Sequence, residues 1–220
     1  MHHIKETRKA MRYDAEHKQK TRDRVITVAK HAIRRGGVAN LGVAAVMKDA
    51  GLTHGGFYAH FSSREALIEA AVEDMLIGAR VRFVRVTEGL QTPEALGTYV
   101  DHYLSSTHRD STTWLCPLPA LSADMSRLEP SLREAFGRAA AGLAGLIQPM
   151  LAALGHDDPG VGRSVVSELV GGLALARAIG PTEQSDAILD ASRLSIRRRV
   201  GLPDAALPDA VLPPSTGTIQ

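Results

Sequence analysis

A single glycine standing between two short helical patterns constrains this chain more than any other feature. The run from Ala45 to Ala50 reads as one short helix, Gly51 stops it, and Thr53 to His60 reads as the next. A glycine just past a helix end can take the left-handed conformation that turns the chain sharply, and Thr53 is a candidate cap for the second helix through its hydroxyl. Two short helices joined so tightly make a helix-turn-helix, a shape that enters a nucleic-acid groove. Within the second helix, Gly55 and Gly56 each cost roughly 1 kcal/mol relative to alanine. Local stability therefore argues against the pair, and close approach of the backbone to a phosphate or sugar argues for it. Thr53, Tyr58 and His60 keep polar atoms available for phosphate oxygens and base edges.

Charge supports the same reading. The net charge of the 220-residue chain is only +2, but residues 1 to 64 hold 13 Lys and Arg against 5 Asp and Glu, and residues 65 to 220 hold 13 against 19. Every lysine lies at or before Lys48. The basic half coincides with the groove-binding motif, as phosphate binding requires. The alternative is a solvated basic arm with no partner.

Helical spacing continues along the chain. Val25, Val28, Ala29, Ala32 and Ile33 give a first helix from about Lys20 that ends at Gly36 and Gly37. Ser62 or Ser63 caps a long helix reaching Val86, striped by Ala66, Leu67, Ala70, Ala71, Met75 and Leu76. Thr92 and Pro93 open a helix through His108, and 110 to 119 reads as a loop. Helices over 120–127, 131–154, 159–179 and 182–200 follow, with no alternating strand-like run. The fold class is all-α: an N-terminal three-helix helix-turn-helix domain, then a C-terminal helical domain, with ligand-binding and dimerisation the roles that resemblance to a known family implies for it. The expected divisions are a flexible basic arm or helix extension over 1–17, the helix-turn-helix domain over 18–64, an effector-binding and dimerisation domain over 65–200, and a Pro-rich tail over 201–220. The single cysteine excludes an intramolecular disulfide. No apolar run reaches the roughly 20 residues of a membrane helix and no signal-peptide apolar region opens the chain, so the expected place is the cytoplasm, away from membranes.

Residues 21 to 69 resemble the DNA-binding domain of the TetR (tetracycline-repressor) family of bacterial transcription regulators. The resemblance rests on Thr21-Arg22-Asp23-Arg24-Val25-Ile26, on Ala50-Gly51-Leu52-Thr53, on Gly55-Gly56-Phe57-Tyr58-Ala59-His60-Phe61, and on Ser63-Arg64-Glu65-Ala66-Leu67. At the start of the second helix, where the family usually has Thr or Ser, stands Asn40-Leu41-Gly42-Val43, with Asn40 the candidate cap. The resemblance implies DNA contacts at Thr53, His54, Gly55, Tyr58 and His60, with Lys48 and Arg64 near for phosphates. Tyr58 lies four residues after His54 and so shares its face, and Phe57 and Phe61 point into the core. The resemblance also implies a homodimer through 159–179 and 182–200, the first of which is apolar over most of its circumference.

Tyr99, His102 and Tyr103 recur at helical spacing, and Trp114, Cys116, Met125 and Phe136 are expected to converge with them on one pocket for a small apolar or aromatic effector. Plain core packing is the alternative for each. The segment Trp114 to Ser122 resembles a Gly-Cys-Pro or Gly-Cys-Leu stretch in a TetR subgroup, some of whose members sense electrophiles or small aromatic compounds; Leu115 stands here for the glycine. Cys116 is either a reactive sensor or a buried structural thiol, and Pro117 and Pro119 remove two donors that would stabilise a thiolate. No nucleophile elbow, phosphate loop or zinc spacing is present, so neither catalysis, a metal nor a cofactor is expected. His156-Asp157-Asp158 reads as a turn and helix cap. The reading is a homodimeric, ligand-responsive regulator, in all expectation a repressor released from a palindromic operator, with a non-DNA-binding dimeric scaffold or sensor as the alternative.

Overall fold

The computed structural model describes residues 2–111 and 116–203, with backbone alone for 2–14. These residues are helical and contain no strand. They form α1 (His2–Gly36), α2 (Val43–Asp49), a 3₁₀ helix (His54–Ala59), α3 (Arg64–Thr87), α4 (Thr92–Tyr103), α5 (Ser106–Asp110), α6 (Pro117–Met125), α7 (Pro130–Ala152), α8 (Pro159–Ile179) and α9 (Glu183–Arg199). Two compact units result, one comprising residues 2–82 and 116–141 and the other 83–111 and 142–203. Trp114 and the segment 204–220 lie outside the described residues. The backbone from His2 onward is helical and continuous with α1, as in the helix extension that is one of the two expectations for 1–17.

The first unit is built on the apolar stripe of α1. Val25, Ile26, Ala29 and Ile33 are buried at helical spacing, and Phe57, Phe61, Leu67, Ile68 and Met75 close over them. Leu121, Met125 and Leu132 from α6 and α7 join the same cluster. This compact unit extends beyond residue 64, since residues of α3, α6 and α7 pack into the same core. Each fully buried Leu, Ile or Phe contributes about 1.5 to 3 kcal/mol. Asp124 of α6 also accepts a 3.3 Å hydrogen bond from the Val38 N–H, tying α6 to the α1–α2 loop.

Local chemistry sets the helix ends. Gly51 has φ +69°, its N–H bonds to the Lys48 carbonyl and the Leu52 N–H to the Met47 carbonyl, each at 2.9 Å. This double bond is the left-handed glycine stop expected of the turn. Asn40 does not cap α2: its side-chain amide donates to the Gly36 carbonyl at 2.7 Å and so closes the end of α1, while Gly42 occupies the α2 cap position without a side-chain bond. Ser63 caps α3 by accepting the Ala66 N–H at 3.1 Å.

In the second unit α8 packs chiefly on α9. Asp158 caps α8 by accepting the Gly160 N–H at 2.8 Å, and Thr182 and Ser185 form a reciprocal capping box on α9. The helix expected over 92–108 breaks at Leu104, where Ser105 accepts the His108 N–H at 3.1 Å and starts α5. Thr92 is the first residue of α4 and Gln91 its cap position. Part of the loop expected over 110–119 is helix, since Pro117 and Pro119 sit in the first turn of α6, where a missing N–H costs nothing. Buried Arg197 bonds to Asp101 at 2.9 Å and to the Pro203 carbonyl at 2.6 Å. Buried Arg109 bonds to Ser185, Asp186 and Asp110.

Candidate DNA-binding site

Phe57 anchors the segment that follows the turn. Its ring is 2% exposed, stacks on Phe61 with centroids 5.7 Å apart, and meets Tyr58 edge-on at 5.3 Å. With Phe57 pinned inward, Thr53, His54, Gly55 and Tyr58 are exposed on the outer side, and Tyr58 is 71% exposed. The inward placement of Phe57 and Phe61 is as the sequence implies.

The helix itself differs from the expected α-helix. It is 3₁₀ over His54–Ala59, and Thr53 occupies the cap position without a hydroxyl bond to the helix. Side chains three apart eclipse in a 3₁₀ helix, so Tyr58 stands over Gly55 and not over His54. The outer edge thus presents bare backbone at Gly55 one turn from a phenol at Tyr58.

Neither glycine is there for the protein's own packing. Both lie outside the positive-φ region that favours glycine. A Cβ on Gly55 would meet nothing within 4 Å, and one on Gly56 would make ordinary contacts at 3.7 Å to Thr53 and 3.8 Å to Met47. An external surface is left as the physical reason for forgoing the stability of alanine.

The remaining site residues divide by role. Lys48 is exposed in the last turn of α2. His60 is half-buried, and burial first, then the charges of Lys18 and Arg22, hold its pKa below the usual histidine value. Arg22 also lies over the Phe61 ring at 4.8 Å. Arg64, expected near phosphates, donates through its guanidinium to the carbonyls of Leu41 at 2.9 Å, Val38 at 2.8 Å and Ala39 at 3.0 Å. It is a positioning residue that clamps the α1–α2 loop, a role that spacing alone does not disclose. At the start of α3, the Glu65 carboxyl is held below its usual range, chiefly by its own backbone N–H and by Ser63.

Of the seven residues expected to line one effector pocket, Trp114 lies outside the described residues and the other six are distributed over both compact units. Tyr99 and Tyr103 lie in the second unit, in a ladder with Phe83 at centroid separations of 4.6 and 5.8 Å. His102 stacks on His108 there at 5.9 Å. In the first unit Met125 belongs to the core cluster and Phe136 packs against it half-buried, and Cys116 is buried at the α6 cap position of the same unit.

An all-helical protein with a glycine-stopped helix-turn-helix at its N-terminal end defines the class, a helix-turn-helix regulator. Residues 25–71 match the model of the bacterial regulatory proteins of the tetR family, and that segment of the chain belongs to the family. The fold extends the likeness along the chain. Reduced NemR of Escherichia coli matches with a TM-score of 0.73 at 18% identity, covering 84% of this chain and 100% of that one. A TetR transcriptional regulator from Chloroflexus aurantiacus matches with a TM-score of 0.71 at 20% identity, covering 84% and 96%. RolR in complex with resorcinol matches with a TM-score of 0.56 at 19% identity, covering 89% and 98%. Comparison with curated protein sequences gives no match. The family segment and the fold support a DNA-binding transcriptional regulator. Among the described residues no helix is long and apolar enough to cross a membrane.

Proposed function

We propose that the chain is a homodimeric transcriptional repressor that binds a palindromic operator and is released from it by a small apolar or aromatic effector. The carrying observation is the outer edge of the 3₁₀ helix, where Tyr58 projects beside Gly55, a glycine that the protein's own packing does not require. On this reading Thr53, His54 and Tyr58 reach base edges and phosphates, and Lys48 adds a phosphate contact at the end of α2.

Two copies are needed to read a palindrome. The support for dimerisation is a small-residue and apolar strip left open on α8, where Gly171 and Ala178 are exposed, Leu175 is 58% exposed and Ile179 is 37% exposed. Gly172 is not part of it, since it lies buried under Ser192 and Leu104 of its own chain. Exposed Ala187, Ala191 and Ser195 on α9 can extend the strip.

Ligand response is supported by the aromatic ladder Phe83, Tyr99 and Tyr103 and by the neighbouring histidines, a mixture suited to an aromatic ring with a polar substituent. RolR, similar in fold, holds resorcinol. The Asp124–Val38 bond offers a path from α6 to the loop before α2. Cys116 is read as a packing thiol because it is buried, with two prolines in the adjoining turn. Tyr58→Ala tests the reading: affinity for an operator selected from random duplex DNA should fall by about 1 to 3 kcal/mol by fluorescence anisotropy, with the dimer intact. Unchanged affinity would remove Tyr58 from the interface, and failure of the natural chain to select any duplex would favour a scaffold that does not bind DNA.

A further inference from the structure

The stretch of α1 from His2 to Lys20 comes before the core contacts of that helix, which among the described residues begin at buried Thr21 and Val25. Its described side chains, residues 15 to 20, are all exposed. Packing against a core is the usual source of helical stability in proteins, and these residues receive none. At a rise of about 1.5 Å per residue, the stretch carries the helix about 28 Å beyond Thr21.

Its sequence is basic and ordered. Lys5, Arg8, Lys9, Arg12, Lys18 and Lys20 stand against Glu6, Asp14 and Glu16. At about 100° per residue, the helical register of Lys5, Arg8, Lys9 and Arg12 falls within one arc of about 100°, and that of Glu6 and Asp14 falls outside it. Glu16 stands one turn after Arg12 and offsets at most one of the four cations. Lys5 with Lys9, and Arg8 with Arg12, are like charges one turn apart, which oppose a helix. The positive end of the helix dipole opposes them again, and the first turn holds no acidic residue. A row of cations kept on a helix against both effects is complementary to a polyanion outside the chain.

The place where the stretch leaves the core selects the polyanion. Arg22 lies over the Phe61 ring at 4.8 Å, and Phe61 stacks on Phe57, the anchor of the segment 53 to 60. The extension therefore departs beside the end of the groove-reading segment, and exposed Lys18 and Lys20 carry positive charge up to that point. A helix about 28 Å long has the length of about eight phosphates of one DNA strand.

We propose that the row Lys5, Arg8, Lys9 and Arg12 on the α1 extension binds the phosphate backbone of DNA flanking the bases read by residues 53 to 60. The site rests on the DNA reading above and adds affinity without sequence preference, because phosphates are alike at every base pair. The test compares the full natural chain with a variant combining Lys5→Gln, Arg8→Gln, Lys9→Gln and Arg12→Gln, on the duplex that the natural chain selects from a random pool. Glutamine is as good a helix former as lysine or arginine, so the variant should keep its Tm. Raising the salt from 50 to 200 mM should weaken the natural chain about 10- to 40-fold more than the variant, the difference that two or three phosphate contacts produce. Both should enrich the same bases, and trimming about ten flanking base pairs, one helical turn, from each side of the duplex should weaken only the natural chain. Equal salt dependence or an equal response to trimming would overturn the site, and so would a variant that enriches other bases, since the row would then read sequence. Loss by the variant of binding to phosphatidylserine vesicles, with its DNA binding unaltered, would assign the row to a membrane surface and overturn the site too. A natural chain that selects no duplex overturns both the site and the DNA reading, whereas a selected duplex without these differences overturns the site alone.

Discussion

Gly55→Ala separates what the folded chain needs from what its partner needs. The residue lies outside the positive-φ region, its added methyl would meet no atom within 4 Å, and the position is exposed. Nothing in the protein resists the substitution, and alanine restricts the unfolded chain more than glycine does. The expected gain is about 0.4 to 1 kcal/mol. For a chain of this size that corresponds to a rise in Tm of about 1 to 4 °C by differential scanning calorimetry. At the groove the same methyl stands one turn from Tyr58 on the outer edge, where the backbone must approach a phosphate or sugar. Operator affinity should therefore fall by about 1.4 kcal/mol or more, roughly tenfold in anisotropy titrations at fixed salt. A variant at once more stable and a weaker binder is the signature of a glycine kept for a partner. A more stable variant with unaltered affinity would refute that reasoning, and a less stable one would refute the packing analysis on which it rests.

Three further outcomes follow from the geometry. Arg64→Met should lower stability by about 2 kcal/mol, because three loop carbonyls lose a charged donor, while the salt dependence of DNA binding stays the same; a flatter salt slope would return Arg64 to the phosphate contacts. Gly171→Arg should give monomers in sedimentation, whereas Gly172→Ala, whose Cβ would lie 2.7 Å from Ser192 Oγ, should lower Tm and leave the dimer in place; a dimeric Gly171→Arg would move the interface elsewhere. His60 has its pKa lowered on folding, so the folded chain binds fewer protons than the unfolded one, and stability is complete above about pH 6.5 and declines as pH falls through that value; His60→Asn should flatten this decline in urea titrations between pH 7.5 and 5.5, and an unchanged slope would assign it to other groups.

Much of the architecture was legible because local chemistry and tertiary packing agree. Asp158 and Pro159 mark the start of α8 and do start it, Gly51 makes the turn, and Ser63 caps α3. Phe57 and Phe61 were readable as core because their spacing leaves only one inward face. What was not legible depends on partners distant in sequence. Gly171 and Gly172 are adjacent small residues, and only Ser192 and Leu104 decide which is buried. Asn40 had two helix ends within reach and took the earlier one. Arg64 found its carbonyls more than 20 residues upstream. The change from α to 3₁₀ at 54–59 reflects two glycines and an uncapped start, for which helical spacing has no signal. The use of α6 to supply Leu121 and Met125 to the first core likewise has no local signal.

Selection of binding sites from a random duplex pool tests the central claim most directly, since it assumes neither operator nor effector. Two recognition segments on one dimer should enrich an inverted repeat whose half-sites are centred about 34 to 36 Å apart, one helical turn of DNA, and Tyr58→Ala should abolish or relax the enriched bases. Enrichment of no sequence by the natural chain, or of the same sequence by Tyr58→Ala, would contradict groove reading by residues 53 to 60.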